Sequence, residues 1–282
     1  TKGTSIPLDY YQQDGDSAAT ITFALDPDKN PFNTNHQDLS QVDVSSSATL
    51  QLESTLLPTQ NAQIGSYTVL ATITDLGGRT RFAYAPQQVV IENATVVDVM
   101  VNDGSAGRSM VTSLTIAFST DVEIAADAIE LVHRGTGDEV LTAFNHELIG
   151  GKSVVNISFL AGPSVITRAA GNSLADGNYA LTIDATKVTH NGVLLDGNDD
   201  GSVGGDYVFG DELVDQFFRF FGDTDGDRDV DGPDFGRFGL TFRRRAPDDG
   251  YNPLLDYDGD GDVDGQDFGQ FALRFRKRLD FQ

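Results

Sequence analysis

The sequence predicts a mainly β protein: two antiparallel β-sandwich domains followed by a small α-helical domain built on a pair of acidic loops. Three observations carry that prediction. Short runs of alternating apolar and polar residues fill the first part of the chain, separated by turn clusters at intervals of about ten residues. The alternation stops at Asp211. From there to Gln282, a stretch rich in aspartate and phenylalanine is written twice.

In residues 1–93 the strand-like runs are ATITFAL (Ala19–Leu25), ATLQLES (Ala48–Ser54), YTVLATITD (Tyr67–Asp75) and RFAYAPQQVVIE (Arg81–Glu92). Each sends β-branched and aromatic side chains to alternate positions, as a strand with one face on a core requires. A second series occupies residues 94–210: TVVDVMV, MVTSLTIAFS, AIELVHR, SVVNISFL, NYALTIDATKV and DYVFG. The break falls near Glu92–Ala94. A single sandwich over both series would be about twice the usual length of ~100 residues, so two are expected.

Residues 211–282 follow a different pattern. DELVDQFFRFFG predicts a helix with Leu213, Phe217 and Phe220 or Phe221 on one face, and with Asp211 and Glu212 at its electropositive start. Adjacent helical residues diverge by about 100°, so one face cannot bury Phe217, Phe218, Phe220 and Phe221 together. The surplus rings are expected either to pack on the second sandwich or to form an exposed patch for a partner. Next, DTDGDRDVDGPDFGRFGLTFRRR returns thirty-three residues later as DYDGDGDVDGQDFGQFALRFRKR, an internal repeat.

Six aspartates crowd the segment Asp223–Asp234. At ~5 Å each like-charged pair costs about 1 kcal/mol even in water, so a loop that gathers them needs a cation. Carboxylates at alternate positions, with a last one opening a helix, form the pattern of a calcium loop. Ca²⁺ is hard and large and takes about six to eight oxygens. The candidate ligands of the first loop are the side chains of Asp223, Asp225, Asp227, Asp231 and Asp234 with the carbonyl of Asp229. Those of the second are Asp256, Asp258, Asp260, Asp264 and Asp267 with the carbonyl of Asp262. Mg²⁺ suits so many carboxylates less well. Val230 and Val263 are expected to join the loops across a short β bridge. Gly261 provides the sharp turn of the second loop, whereas Arg228 stands there in the first; a positive φ strains it and predicts a weaker first site.

The rings of Phe235, Phe238, Phe242, Phe268, Phe271 and Phe275 are expected to form the core of the helical pair. The basic tails Arg243–Arg245 and Arg274–Arg278 suit helix C-termini and offer ion pairs to the acidic sandwiches. Two other acidic turns carry ligand-type residues. DGNDDG presents Asp196, Asn198 and Asp200, either as a third Ca²⁺ site or as a plain polar turn. DPDKN, from Asp26 to Asn30, includes a lysine and reads as a turn.

The tandem repeat from Asp223 to Arg278 resembles the type I dockerin, a calcium-binding, EF-hand-like module of secreted bacterial proteins. Both copies carry acids at loop positions one, three, five, nine and twelve, with aspartate closing each loop. The resemblance covers the last quarter of the chain. The β region resembles the immunoglobulin-like and cadherin-like modules that precede such repeats in large bacterial surface proteins. What these resemblances imply is two bound Ca²⁺, an extracellular or cell-surface location, a role in adhesion, and a cohesin-like partner. Dockerins engage cohesins through loop positions ten and eleven and the helix that follows. Here those positions are Gly232–Pro233 and Gly265–Gln266, not the hydroxyl pair common in cellulosomal dockerins.

Composition narrows the function classes. A net charge of −24 argues against a nucleic-acid partner, whose phosphates it repels. Without cysteine there is no disulfide framework and no thiolate metal site. No apolar run approaches the ~18 residues of a membrane span. His36, His133, His146 and His190 are scattered, and no nucleophile elbow, phosphate loop or dinucleotide fingerprint occurs. The chain opens at Thr1 without a signal-peptide pattern, which fits a piece of a longer secreted protein. The expected role is non-catalytic: rigid capping, attachment or assembly through a cohesin-like protein, a second copy or a cell-surface component. Two alternatives are a targeting module for a carbohydrate-degrading enzyme upstream and a self-assembling filament or sheath subunit.

Overall fold

The computed structural model describes residues 1–15 and 17–281. It is mainly β, with antiparallel strand pairs and two helices near the C-terminus. The first series of strands is β1 (Ile6–Asp14), β2 (Ala19–Asp26), β3 (Gln37–Val44), β4 (Ser47–Leu57), β5 (Gly65–Asp75) and β6 (Thr80–Ile91). One sheet has the order β3-β2-β5-β6, and β1 pairs with β4 as a separate two-stranded sheet. Period-two alternation along β2 sends Ala19, Ile21, Phe23 and Leu25 into the space between the sheets. There Tyr10 of β1 meets Phe23 edge-on at 5.2 Å.

The second series comprises β7 (Val96–Val101), β8 (Ser113–Phe118), β9 (Glu123–Ile124), β10 (Ile129–His133), β11 (Asp138–Glu139), β12 (Thr142–Ile149) and β13 (Lys152–Phe159). It continues with β14 (Val165–Ile166), β15 (Ser173–Leu174), β16 (Gly177–Ile183), β17 (Val188–His190), β18 (Val193–Leu194), β19 (Tyr207–Phe209) and β20 (Phe217–Arg219). The sheet β12-β13-β8-β7 and the sheet β11-β10-β16-β19 enclose a core that includes Leu114, Ile116, Phe118, Val155, Ile157, Leu181 and Ile183. Short pairs and a small β18-β17-β9 sheet close its ends.

The helix expected over DELVDQFFRFFG is absent. Residues 211–215 are turns and bends, and β20 pairs with β16 in the register Gly177↔Arg219 to Tyr179↔Phe217. A strand separates adjacent aromatics better than a helix does, because neighbouring side chains leave on opposite faces. Phe217 thus enters the core of the second sandwich, while Phe218, Phe220 and Phe221 enter that of the helical region. All four rings are buried within the chain.

The helices are α1 (Gly232–Thr241) and α2 (Gly265–Arg274). Each begins at an aspartate N-cap, Asp231 or Asp264, whose backbone N–H donates to the aspartate three residues on. The distances are 2.9 Å to Asp234 and 2.7 Å to Asp267. Such a reciprocal cap satisfies N–H groups that have no partner inside the helix. Arg243 and Arg276, just past the two ends, both take φ 64° and turn the chain back.

The tails then cross over. The segment after α1 pairs with the second loop, through Arg243 N to Val263 O at 2.7 Å and Val263 N to Arg244 O at 2.9 Å. The segment after α2 pairs with the first, through Arg276 N to Val230 O at 2.6 Å and Val230 N to Lys277 O at 3.1 Å. The expected direct bridge between Val230 and Val263 is thus replaced, each valine's backbone being satisfied by the opposite tail. Phe238 and Phe271 pack as a tilted pair, ring centroids 4.8 Å apart, in the core between the helices. Phe235 and Phe268, also expected inside, remain 49% and 42% exposed because the helix pair leaves that face uncovered.

Candidate metal centres

Each acidic loop gathers its carboxylates around one buried aspartate. In the first loop one oxygen each from Asp223, Asp225 and Asp234 lie within 4.8 Å of one another, as do oxygens from Asp229, Asp231 and Asp234. The second loop repeats the arrangement with Asp256, Asp258 and Asp267, and with Asp262, Asp264 and Asp267. Asp234 and Asp267 are the hubs, both buried and both at the third position of a helix. The helix N-terminus there favours negative charge.

Backbone hydrogen bonds shape the loops before any cation is considered. Asp223 accepts from Gly226 N at 2.6 Å and Arg228 N at 2.9 Å. Asp256 accepts from Gly259 N at 2.7 Å and Gly261 N at 3.0 Å. Asp227 and Asp260 lie outside the convergent groups; they accept from Asp229 N and Asp262 N, each at 3.1 Å, and hold the outer turn. Asp229 and Asp262, expected to contribute carbonyls, direct their side-chain carboxylates toward the hub.

The electrostatics of the clusters are unfavourable as they stand. Burial, with Asp234 and Asp227 nearby, pushes the carboxyl of Asp223 up to about 6. Burial, with Asp258 and Asp256 nearby, does the same to Asp267, also to about 6. Asp225, Asp229 and Asp258 are raised too, chiefly by desolvation. One oxygen each of Asp225 and Asp229 is buried with no hydrogen-bond partner. A carboxylate oxygen shut away from water and from donors is costly unless a cation meets it. The donor set is all oxygen, anionic and flexible, which fits a hard divalent cation and not a thiolate- or imidazole-seeking metal.

The second sandwich contributes to both loops, a feature that local sequence patterns did not reveal. Arg108 N donates to Asp223 O at 3.0 Å, Arg168 Nη1 donates to Asp256 O at 2.7 Å, and Ala169 N approaches Asp258 O at 3.3 Å. At position four of the loops, Gly226 (φ 81°) and Gly259 (φ 72°) lie directly against it. A Cβ on Gly226 would come within 2.2 Å of Ala106 O, and one on Gly259 within 2.8 Å of Ala170 N. The recurring glycine was the available signal. Tyr251 also reaches in, its hydroxyl donating to Asp256 at 2.7 Å.

Arg228 holds the loop to the sandwich. It adopts φ 76°, the left-handed conformation anticipated for this position, yet its guanidinium is buried. That group donates to Asn178, to Gln216 Oε1 at 2.9 Å and to Leu279 O at 3.0 Å, and it stacks 4.3 Å over Phe218. A second clamp sits opposite. Asp176 accepts from fully buried Arg219, from Arg274 at the end of α2 and from Phe221 N at 2.9 Å.

The other acidic turns do not gather ligands in the same way. Asp196 is buried and accepts from Asp200 N, Gly201 N and Asn93 Nδ2, while Asn198 donates to Asp200 at 3.0 Å. Asp26 is buried and accepts from Asp28 N, Lys29 N and the Tyr84 hydroxyl. Among the described residues, neither belongs to a group of three converging acidic or histidine ligands. Among the described residues, no helix is long and apolar enough to cross a membrane. A scan against protein-family models gave no match, and a search of curated proteins gave none.

Proposed function

We propose that residues 211–282 form a dockerin-like domain that binds two Ca²⁺ and gives an extracellular bacterial surface protein a rigid, non-catalytic attachment or assembly unit. The observation that carries this reading is the duplicated carboxylate cluster, with oxygens of Asp225 and Asp229 buried and unpartnered. Calcium is favoured over magnesium because five or six carboxylates are available at each loop, more than a small ion that retains its waters uses. An extracellular setting is the one in which such loops meet calcium at the ~10⁻⁴ to 10⁻³ M dissociation constants typical of secreted modules.

Each residue has a part in this account. Asp223, Asp225, Asp231, Asp234 and their counterparts Asp256, Asp258, Asp264, Asp267 would hold the ions, with Asp229 and Asp262 beside them. Asp227 and Asp260 shape the turns. Arg228, Arg108 and Arg168 fasten the loops to the second sandwich, so cation binding would order the joint between the two as well as the loops. Bound Ca²⁺ supplies the positive charge that the clustered carboxylates lack.

The test is circular dichroism and thermal melting in millimolar calcium and in excess chelator. The expected result in chelator is a weaker helix signal and a lower melting temperature for the transition belonging to residues 211–282, with the β signal kept. With calcium at a hundred times the dissociation constant, each site adds about 2.7 kcal/mol. Identical spectra and melting in both conditions would overturn the reading.

A further inference from the structure

The outer side of the helix pair is unusual for a chain this acidic. Phe235 and Phe268 stand half-exposed over a cavity of about 220 Å³ whose remaining walls are Phe271, Ala272 and Phe275. The exposed basic triplets Arg243–Arg245 and Arg276–Arg278 follow the two helices; Arg276 lies 5.6 Å from the Phe275 ring, and Arg243 lies 5.7 Å from Phe242, itself 6.1 Å from Phe268. Two arginines thus flank an apolar groove on a protein of net charge −24. Exposed apolar area of this kind marks an interaction site.

A closed dimer made groove to groove would bring two copies of Arg243 and Arg276 together, and like charges oppose it. The occupant must be apolar and free of positive charge. The chain carries such a surface at its other end. In the β1/β4 sheet, Leu50, Leu52 and Leu56 point outward and are 58–66% exposed, and Tyr11, opposite Leu52, is 67% exposed. Neither strand contains lysine or arginine, and Asp9 and Glu53 lie within them. This sheet has two strands where its partner has four, so its outer face and edges are uncovered.

We propose that the phenylalanine groove receives the β1/β4 face of a second copy, so that chains associate head to tail. The proposal rests on reading residues 211–282 as an assembly domain and names its partner. The two surfaces are different and lie on different domains, so the contact is heterologous and its repetition extends a row unless the rotation closes.

Sedimentation velocity of the 282-residue chain in saturating calcium, over a micromolar concentration range, tests this with two variants. Phe268→Ser impairs the groove and Leu52→Asp impairs the sheet face. Both alter exposed side chains, and native mass spectrometry checks that each retains the parent's calcium content. The parent should form species that grow with concentration. Each variant alone should associate about thirtyfold more weakly or worse. Mixed, they should form a one-to-one pair that grows no further, because one intact groove and one intact face remain. Dimers of Leu52→Asp alone would instead show groove-to-groove pairing and overturn the proposal, as would Phe268→Ser associating like the parent. A parent that binds two Ca²⁺ yet stays monomeric would refute the docking alone; one that binds none would refute the calcium reading beneath it.

Discussion

Arg228 occupies a position where a calcium loop favours glycine, and its conformation carries the cost. An L-residue in the left-handed region is strained by roughly 1–2 kcal/mol. Its buried guanidinium offsets that through charged hydrogen bonds to Asn178, Gln216 and Leu279 and through stacking on Phe218. From the sequence alone, Arg228→Gly should tighten the first site. The structure predicts the reverse for the assembled chain: a net loss of about 2 kcal/mol in urea unfolding of residues 211–282 at saturating calcium. A gain in stability would show that the strain dominates. Asp223 and Asp267 make a second prediction, this one in pH. Without metal their folded carboxyls titrate near 6, above the ordinary 3.8. Between those values the folded chain binds more protons than the unfolded one, so stability falls as pH rises through that window. In chelator, the transition of residues 211–282 should therefore occur at higher temperature at pH 5 than at pH 7. In calcium the order should reverse, because protons and cation compete for the same oxygens. The same slope in both media would contradict the assignment.

At the scale of elements, the crossed tails make the two loops depend on each other. The segment after α1 completes the second loop, and the segment after α2 completes the first. Loss of the second site through Asp256→Ala should therefore weaken calcium binding at the first by about fivefold, a coupling near 1 kcal/mol. Calorimetric titration measures it, and an unchanged first site would mean the tails transmit nothing. How much of this was legible depends on the range of the interactions involved. The loops were readable because their chemistry is local: carboxylates at alternate positions converge through a short turn, and the next aspartate caps the helix. β8 and β13 were readable because alternation along each run matches one buried face. FFRFF misled because its local pattern suits a helix, while pairing with β16, some forty residues earlier, made it a strand. The valines misled for a related reason, since a paired-loop pattern does not specify which segment will meet their backbone. The cradle formed by Arg108, Arg168 and Ala169 was beyond reach, as those contacts span roughly ninety residues or more and have no spacing to reveal them.

In the whole molecule, the helical region and the second sandwich behave as one packed body. Phe217 and Phe218 are adjacent in β20 yet belong to the two different cores. Asp176 links Arg219 and Arg274 across the same boundary, and Gly226 and Gly259 allow the loops to touch the sandwich without a side chain between them. Whatever orders the loops should therefore also fix the orientation of the sandwich. The charge distribution follows the same arrangement: the acids of the repeat converge inward, and its basic triplets stay exposed. The central claim is that each acidic loop is one calcium site. Native mass spectrometry of the intact chain in calcium, beside Asp234→Ala and Asp267→Ala, tests it most directly. The parent should carry two Ca²⁺ and each variant one; a parent without bound calcium, or variants that both retain two, would rule out one site per loop.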